Sequence, residues 1–373
     1  RAEQYDLLVT NYSLLRRDIE LWKPVPLGAA ILDEAQFIKN PDAAVSRAAI
    51  EITAPHRLAL TGTPLENRAL DLWSILAFVQ PGLLGTRRQF SERYDRADTP
   101  PHRRRLLAAR LRPVLLRRLK SEVAKDLPPR IEERRDCELS PGQRKLYAAE
   151  LIAARREIEQ LAASPGGVRQ NKIEILARLT RLRQICCHPA LVGGGRAVEA
   201  GPVVSGKFEA LWELLEPLMA EGQKVLVFSQ FVRCLDLLGH ELKRRGIAQH
   251  VLTGKTTRRA QVVRAFETDP DPCVFLISLK AGGTGLNLTA ASYVVLFDPW
   301  WNPAVEAQAI DRTHRIGQTR TVIAYRMLAE GTIEEKIWEL QARKAALAEA
   351  VLGENGFARA LTKADLEYLL QED

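Results

Sequence analysis

Short apolar runs bounded by polar turns recur in two clusters along the chain. In the first third they are Y-D-L-L-V-T-N-Y (5–12), A-A-I-L-D-E-A (29–35) and H-R-L-A-L-T-G-T (56–63). In the last third they are K-V-L-V-F-S-Q (224–230), Q-H-V-L-T-G (249–254), C-V-F-L-I-S-L-K (273–280), Y-V-V-L-F-D (293–298) and V-I-A-Y-R-M-L (322–328). Runs of this length and near-continuous apolarity read as strands buried on both faces, and helical patterns separate them. Strands alternating with helices predict an α/β fold of parallel sheets, and two clusters predict two lobes.

Between the clusters, residues 65–204 read as almost entirely helical. S-P-G-Q-R-K-L-Y opens one long helix, with Ser140 as N-cap and Pro141 at the first helical position. S-P-G-G (164–167) breaks it, a second helical stretch runs to Pro189, and G-G-G-R-A-V-E-A-G-P (193–202) is a connector into the second lobe. A long amphipathic helix follows residue 332, with Gly353 as its expected end. The expected organisation is a partial first lobe with a helical protrusion (1–114), an inter-lobe linker (115–136), a helical insertion (137–204), a second lobe (205–331) and a C-terminal helical brace (332–373).

Composition narrows the class. The chain has 373 residues, long for one domain, with 46% hydrophobic and 27% charged residues and no low-complexity tract. No apolar run approaches the roughly 20 residues that span a bilayer, and the polar first residues are not a signal peptide. The first residue is Arg1 rather than Met, as expected of a fragment. A formal net charge of +8, carried mostly by arginine, suits a polyanionic partner, although charge that serves solubility alone gives the same sum. Five cysteines with no C-x-x-C spacing fit a reducing cytosol, and cytoplasmic, nucleoid-associated localisation is the expectation. I-C-C-H-P (185–189) reads as a packed helix end closed by Pro189 rather than a metal site, because adjacent cysteines point to different sides of a helix.

Four segments carry candidate chemistry. A-A-I-L-D-E-A-Q ends a buried strand in two adjacent carboxylates, Asp33 and Glu34. At the carboxyl edge of a parallel sheet, one acid can hold Mg2+ and the next can polarise an attacking water; the bland alternative is an acidic helix N-terminus. L-A-L-T-G-T-P ends the following strand in a tight polar turn that holds Thr61, Gly62 and Thr63. I-S-L-K-A-G-G-T-G-L-N places three glycines in the four residues after Ala281, a loop whose backbone N–H groups can approach phosphate closely. In Q-A-I-D-R-T-H-R-I-G-Q (308–318), Arg312 and Arg315 stand three apart, which predicts two guanidinia on one side of a helix, suited to a γ-phosphate or simply to solvent.

The order D-E-A-Q, T-G-T-P, V-F-S-Q-F, A-G-G-T-G-L-N, D-R-T-H-R-I-G-Q resembles the motif sequence of the superfamily 2 helicase-like ATPases. L-L-R-R-L-K-S-E-V-A-K-D-L-P-P-R (115–130), R-L-R-Q-I-C-C-H-P-A-L (181–191) and F-D-P-W-W-N-P-A-V-E-A-Q-A-I-D-R-T-H-R-I-G-Q (297–318) resemble the SWI/SNF-type DNA translocases, with a bacterial or archaeal flavour. The resemblance covers nearly the whole chain and implies two RecA-like lobes, the first incomplete. It implies ATP and Mg2+ as cofactors, with Asp33 on the metal and Glu34 orienting the water. Arg312 and Arg315 are implied as arginine fingers, with Gln308, Gly283 and Gly285 near the nucleotide. Thr61, Gly62 and Thr63 are implied to couple nucleotide state to the DNA track. The implied partner is double-stranded DNA, met by Thr10, Asn11, Ser229, Gln230, Lys280, Thr284 and Asn287; RNA polymerase and other DNA-bound proteins are the further partners considered. Trp300 and Trp301 suit core packing better than DNA contact. A strand-separating or RNA-directed superfamily 2 helicase, and a non-hydrolysing DNA- or RNA polymerase-binding fragment, are the competing readings.

The main departure from the family pattern is the P-loop: no G-x-x-x-x-G-K-[ST] occurs anywhere in the chain. Gly254-Lys255-Thr256 spells its ending, but the required first glycine is Gln249, so the stretch is expected to be a turn into the helix that holds Arg259, Arg264 and Phe266. S-G-K-F (205–208) lacks the hydroxyl after the lysine. An isolated chain without the phosphate cradle is expected to hydrolyse little ATP.

Overall fold

The computed structural model describes residues 4–61, 69–95, 100–116, 118, 120–124, 126–163, 170–192, 204–282, 286–301, 303–348 and 362–371. The chain divides into two units, residues 1–119 with 345–352, and residues 120–344 with 353–373.

In the first unit, helices of six residues or more are α1 (Tyr12–Arg17), α2 (Ala44–Glu51), α3 (Ala69–Val79), α4 (Arg87–Tyr94) and α5 (Pro101–Leu111). β1 (Ala29–Leu32) and β2 (His56–Ala59) pair in parallel from Ala29↔His56 to Leu32↔Ala59. Leu32, Ala35, Ile38, Ala49, Ile75 and Phe78 bury one side of this pair, with Leu15 from α1. Ile31, Leu58 and Leu60 are exposed on the other side. The run 5–12, expected as a strand, forms none and passes into α1 at Tyr12, and Leu7 and Val9 lie exposed. It ends where the Asn11 side chain accepts from Leu14 N (2.9 Å) and starts α1, so a local cap takes the place of a ladder.

The second unit is a six-stranded, all-parallel sheet in the order β3-β8-β7-β4-β6-β5. Its elements in chain order are β3 (Arg130–Cys137), α6 (Pro141–Ala163), α7 (Lys172–Cys187), α8 (Gly206–Ala220), β4 (Val225–Ser229), α9 (Val232–Arg244), β5 (Ala248–Leu252), α10 (Arg259–Thr268), β6 (Cys273–Ser278), β7 (Tyr293–Leu296), α11 (Pro303–Ile310), β8 (Val322–Ala329), α12 (Ile333–Ala348) and α13 (Lys363–Leu369). Period-2 alternation sorts its core: Val225, Val227, Val274 and Leu276 meet α8 and α9, whereas Leu226, Phe228, Phe275 and Ile277 meet α10 and α11. Every strand run expected in the last third is present.

β3 is a strand within the stretch expected to be a linker over 115–136 and almost entirely helical over 65–204. It pairs with β8 along its whole length, from Arg130↔Val322 to Cys137↔Ala329. R-I-E-E-R-R-D-C has no apolar face because it is an edge strand, exposed at most positions and studded with charge, which discourages further pairing. The expected N-cap at Ser140 is formed: its hydroxyl accepts from Gln143 N (3.3 Å), and the Gln143 side chain accepts from Ser140 N (3.4 Å). Gln143 also donates to the Ile185 (2.7 Å) and Cys186 (3.1 Å) carbonyls at the end of α7. The Cys186 and Cys187 thiols lie buried there, pushed well above the ordinary range by desolvation.

S-G-K-F is structural. A Cβ on Gly206 would stand 1.6 Å from the Glu138 carbonyl oxygen, so only glycine fits. Lys207 is fully buried; its ammonium meets Glu334 of α12 (2.5 Å) and donates to the Phe297 (2.8 Å) and Met327 (3.1 Å) carbonyls.

Candidate functional site

Because β1 and β2 run in parallel, their carboxyl ends deliver Asp33-Glu34 and Thr61 side by side. Leu60 N donates to the Leu32 carbonyl and Ala35 N to the Leu60 carbonyl, both at 2.8 Å, which locks the two strand ends together. Asp33 is exposed at this edge and its carboxylate accepts from Glu34 N (2.9 Å). Glu34 has φ 50° and ψ 51°, and it is the only non-glycine residue at positive φ among the described residues. A short helical turn, Ala35–Ile38, follows, but the Glu34 side chain does not cap it. The two acids thus stand at the N-terminus of a helical turn, as the bland alternative has it, but without a side-chain cap. A left-handed glutamate is held against its own steric preference, as happens where placement of a side chain matters more than local stability.

Two residues that sequence reasoning passed over orient this pair. Gln36 donates through Nε2 to Glu34 Oε2 (2.7 Å), and its Oε1 accepts from Thr61 Oγ1 (2.8 Å). Flipping this amide would set oxygen against carboxylate, so the relay has one sense. Tyr12 donates its hydroxyl to the Asp33 carbonyl (2.7 Å). Burial, then the Asp33 and Glu34 charges, push its phenol up to about 12. Gln36 stood in the D-E-A-Q spelling; Tyr12 gave no signal beyond its place in the apolar run. Thr10 and Asn11, expected at DNA, are exposed, and Asn11 spends its side-chain oxygen on the α1 cap. Gly62 and Thr63 lie outside the described residues.

In the second unit, strand order reverses at β4, with β6 and β5 on one side and β7 and β8 on the other, and the chain segments after β4, β6 and β7 leave at the same sheet edge. Ser229 and Gln230 follow β4, but Ser229 is fully buried and donates to Asp298. Gln230 is half-buried; its N–H faces both Asp298 oxygens (3.3 Å each) and its side-chain oxygen accepts from Arg183 (3.3 Å). The fully buried Arg183 of α7 reaches the Pro299 carbonyl and lies 3.8 Å from Asp298 and 5.1 Å from the Trp301 ring. Ser229, expected at DNA, thus has its hydroxyl engaged as an internal brace on Asp298. Trp300 and Trp301 are buried, as expected; Trp300 N donates to Glu306 (2.7 Å), whose other oxygen accepts from Arg326 (2.9 Å). Gly283, Thr284 and Gly285 lie outside the described residues, as does the side chain of Lys280. Asn287 is exposed and Gln308, on α11, is half-buried.

Arg312 and Arg315 depart from the single-face expectation. α11 ends at Ile310, where Thr313 Oγ1 donates back to the Ile310 carbonyl (2.7 Å), and residues 311–317 form turns. Arg312 is buried, whereas Arg315 is exposed and donates to the Leu286 carbonyl (3.1 Å). Without helical continuity, the three-residue spacing no longer aligns them. The L-K…D-L-P-P-R block pins this turn. Lys120 pairs with Asp311 (2.7 Å) and donates to the His314 carbonyl (3.2 Å). Arg130 approaches Asp311 at 3.4 Å, and His314 Nε2 lies 2.8 Å from the Pro128 carbonyl.

Gly254-Lys255-Thr256 is a turn after the edge strand β5. Thr256 N donates to the Thr253 carbonyl (3.1 Å), Thr253 N to the Thr256 hydroxyl (3.0 Å) and Lys255 N to the Thr253 hydroxyl (3.3 Å). Its amides are turned inward on the turn itself, and α10 follows with Phe266 fully buried.

A strand-end acid pair on one parallel sheet and a switch-point edge on a second define the class of two-lobed, RecA-like helicase folds. Residues 1–191 match the SNF2-related domain, and residues 206–317 match the helicase conserved C-terminal domain. An uncharacterized ATP-dependent helicase of Mycoplasma pneumoniae is 37% identical over 379 residues, covering 100% of this chain and 36% of the relative. The human SWI/SNF-related matrix-associated actin-dependent regulator of chromatin subfamily A member 1 is 35% identical over 350 residues, covering 90% of this chain and 33% of the relative. The Sulfolobus solfataricus SWI2/SNF2 ATPase core in complex with dsDNA is 34% identical with a TM-score of 0.55, covering 100% of this chain and 78% of that one. The chain belongs to the SNF2-related family of helicase-like ATPases. It spans about a third of the length of the curated relatives it matches.

Proposed function

We propose that these residues form the larger part of the motor of an ATP-dependent double-stranded DNA translocase of the SWI/SNF type, hydrolysing ATP at the cleft between two lobes. The observation that carries the reading is the left-handed Glu34, whose carboxylate is oriented through Gln36 by Thr61. Asp33, exposed beside it with a carboxylate already ordered by one N–H, fits a hard cation and would hold the Mg2+ of the nucleotide. That ion, when bound, supplies positive charge to the phosphate oxygens. One Glu34 oxygen is engaged by Gln36, and the other is left to take the proton of an attacking water. Arg315, exposed on a pinned turn, suits charge that develops on the transferred phosphoryl group, and Arg312 fits as its buried support.

The test is DNA-stimulated ATP hydrolysis by the full-length protein. Glu34→Gln and Arg315→Ala should each lower it about 100-fold or more, and full activity in either variant removes the role assigned to that residue. Displacement of a triplex strand without separation of a duplex is expected of a translocase; duplex unwinding would favour a strand-separating helicase instead. The 373 residues alone, which spell no P-loop, should hydrolyse little ATP with or without DNA.

A further inference from the structure

The net charge of the chain is concentrated in one place. Residues 99–121 contain eight Lys and Arg and no Asp or Glu; without them the chain has 46 bases against 46 acids. The formal +8 is therefore the charge of this stretch.

The longest helix in this stretch is α5, Pro101–Leu111. Arg103, Arg105 and Arg110 on the helix, and Arg112 just after it, are all exposed. Among the described residues, none of these four guanidinia has an ion pair or hydrogen bond. Neighbouring arginines behave differently: Arg87 is paired with Asp42 at 2.5 Å and Arg88 with Glu92 at 3.0 Å. A helix face that serves solubility usually mixes signs in this way, because like charges one or two turns apart repel. Among the described residues α5 has no such compensation, and its anchor is narrow: Leu107 and Leu111, one turn apart, are half-buried while Leu106 is exposed.

The spacing has a direction. Arg103 and Arg110 are seven residues apart and share one side of the helix, as do Arg105 and Arg112, so the cations form two stripes with about 10 Å between members. The outward crest between the stripes holds His102, Leu106 and Ala109, all exposed. Two cationic stripes flanking an uncharged crest suit the two phosphate chains that border a groove of duplex nucleic acid.

We propose that α5 is a second phosphate-binding surface for double-stranded DNA, built from none of the strand-end residues and reading no sequence. It rests on the translocase reading in its choice of duplex DNA. Its function is to hold the motor on its track through electrostatic contacts that survive while the nucleotide site cycles.

The test uses the full-length protein with all four arginines changed to glutamine, and a second variant with all four changed to lysine. Binding of a fluorescent DNA duplex is measured without nucleotide over a range of salt. Each lost contact lowers the slope of log affinity against log salt by about 0.9, so the glutamine variant should be shallower by about 2 to 4. Across 50 to 200 mM salt, the wild type then loses up to about 100-fold more affinity than the variant. The lysine variant should keep most of the slope, which separates charge from folding. At saturating DNA, kcat and the KM for ATP should be unchanged. Equal slopes for wild type and glutamine variant overturn the proposal, as does loss of slope in the lysine variant with an unchanged thermal melt. Tighter arginine-dependent binding to duplex RNA than to DNA overturns the choice of partner. Absence of DNA-stimulated hydrolysis in the wild type, with the slope difference intact, would instead fault the translocase reading.

Discussion

Replacing Gln36 by alanine cuts the relay that joins the two strand ends. The change removes a hydrogen bond to a charged group, Gln36 to Glu34 at 2.7 Å, and a neutral one, Thr61 to Gln36 at 2.8 Å. A bond to a charged group contributes about 1.5 to 3 kcal/mol and a neutral one about 0.5 to 1.5. If the first sets the direction of the carboxylate in the transition state, its loss lowers kcat by about 10- to 100-fold while the KM for ATP stays nearly constant. Gln36→Glu should be worse, because it sets a second carboxylate against Glu34. Thr61→Val leaves the amide free to rotate and should cost less, roughly 3- to 10-fold. The two losses act through one chain of bonds, so Gln36→Ala combined with Thr61→Val should be no slower than Gln36→Ala alone. DNA-stimulated hydrolysis by the full-length protein, with thermal melts to confirm folding, reads all four variants. Multiplicative losses in the double variant, or a kcat for Gln36→Ala within about twofold of wild type, would refute the relay.

The left-handed glutamate predicts a trade between stability and chemistry: Glu34→Asn should raise unfolding free energy by about 0.5 to 1 kcal/mol in denaturant titration while hydrolysis is lost. Lys207→Met strands Glu334 in the core and should cost about 3 to 5 kcal/mol, with Lys207→Met/Glu334→Leu recovering much of it. Because the Glu334 charge holds the Lys207 ammonium above its ordinary pKa, the lysine's stabilisation is full below pH 10.5 and is lost as pH rises through the higher folded value. Tyr12 should appear in an ultraviolet titration as a late phenol near pH 12; its contribution is whole below pH 10 and lost through about 12, and Glu34→Gln should move it earlier. Lys120 and Asp311 are 46% and 37% exposed, so Asp311→Asn should change stability by less than about 1 kcal/mol yet lower kcat by releasing the turn that holds Arg315.

Much of this fold was legible because parallel sheets write themselves in apolar runs. β4, β6 and β7 are buried on both faces, and their sequences show it. β3 escaped notice for the opposite reason: an edge strand satisfies its backbone through β8 on one side only and has little to bury, so its charges read as linker. The stretch 5–12 misled in the other direction. It has strand composition but no described strand beside it, and composition cannot specify a partner. At the site, Asp33 and Glu34 were visible as residue types at a strand end. The left-handed backbone and the Gln36 relay were not, because both depend on which strand lies alongside.

The three Gly-Lys and paired-arginine features show why local spelling is weak support for chemistry. Gly254-Lys255-Thr256 has the letters of a phosphate cradle, yet its amides are spent on its own turn. Gly206-Lys207 is required by the close approach of Glu138 and by a buried pair with Glu334, demands of packing that leave the lysine with no exposure at all. Arg312 and Arg315 keep the spacing of a helical face after the helix has ended, so one is buried and the other exposed. In each case the deciding quantity is where the donors already point. By that measure the strand-end acids differ from all three. Glu34 is held in a left-handed conformation that its own chain resists, with its carboxylate oriented by Gln36, and that local strain is the observation on which its proposed role rests.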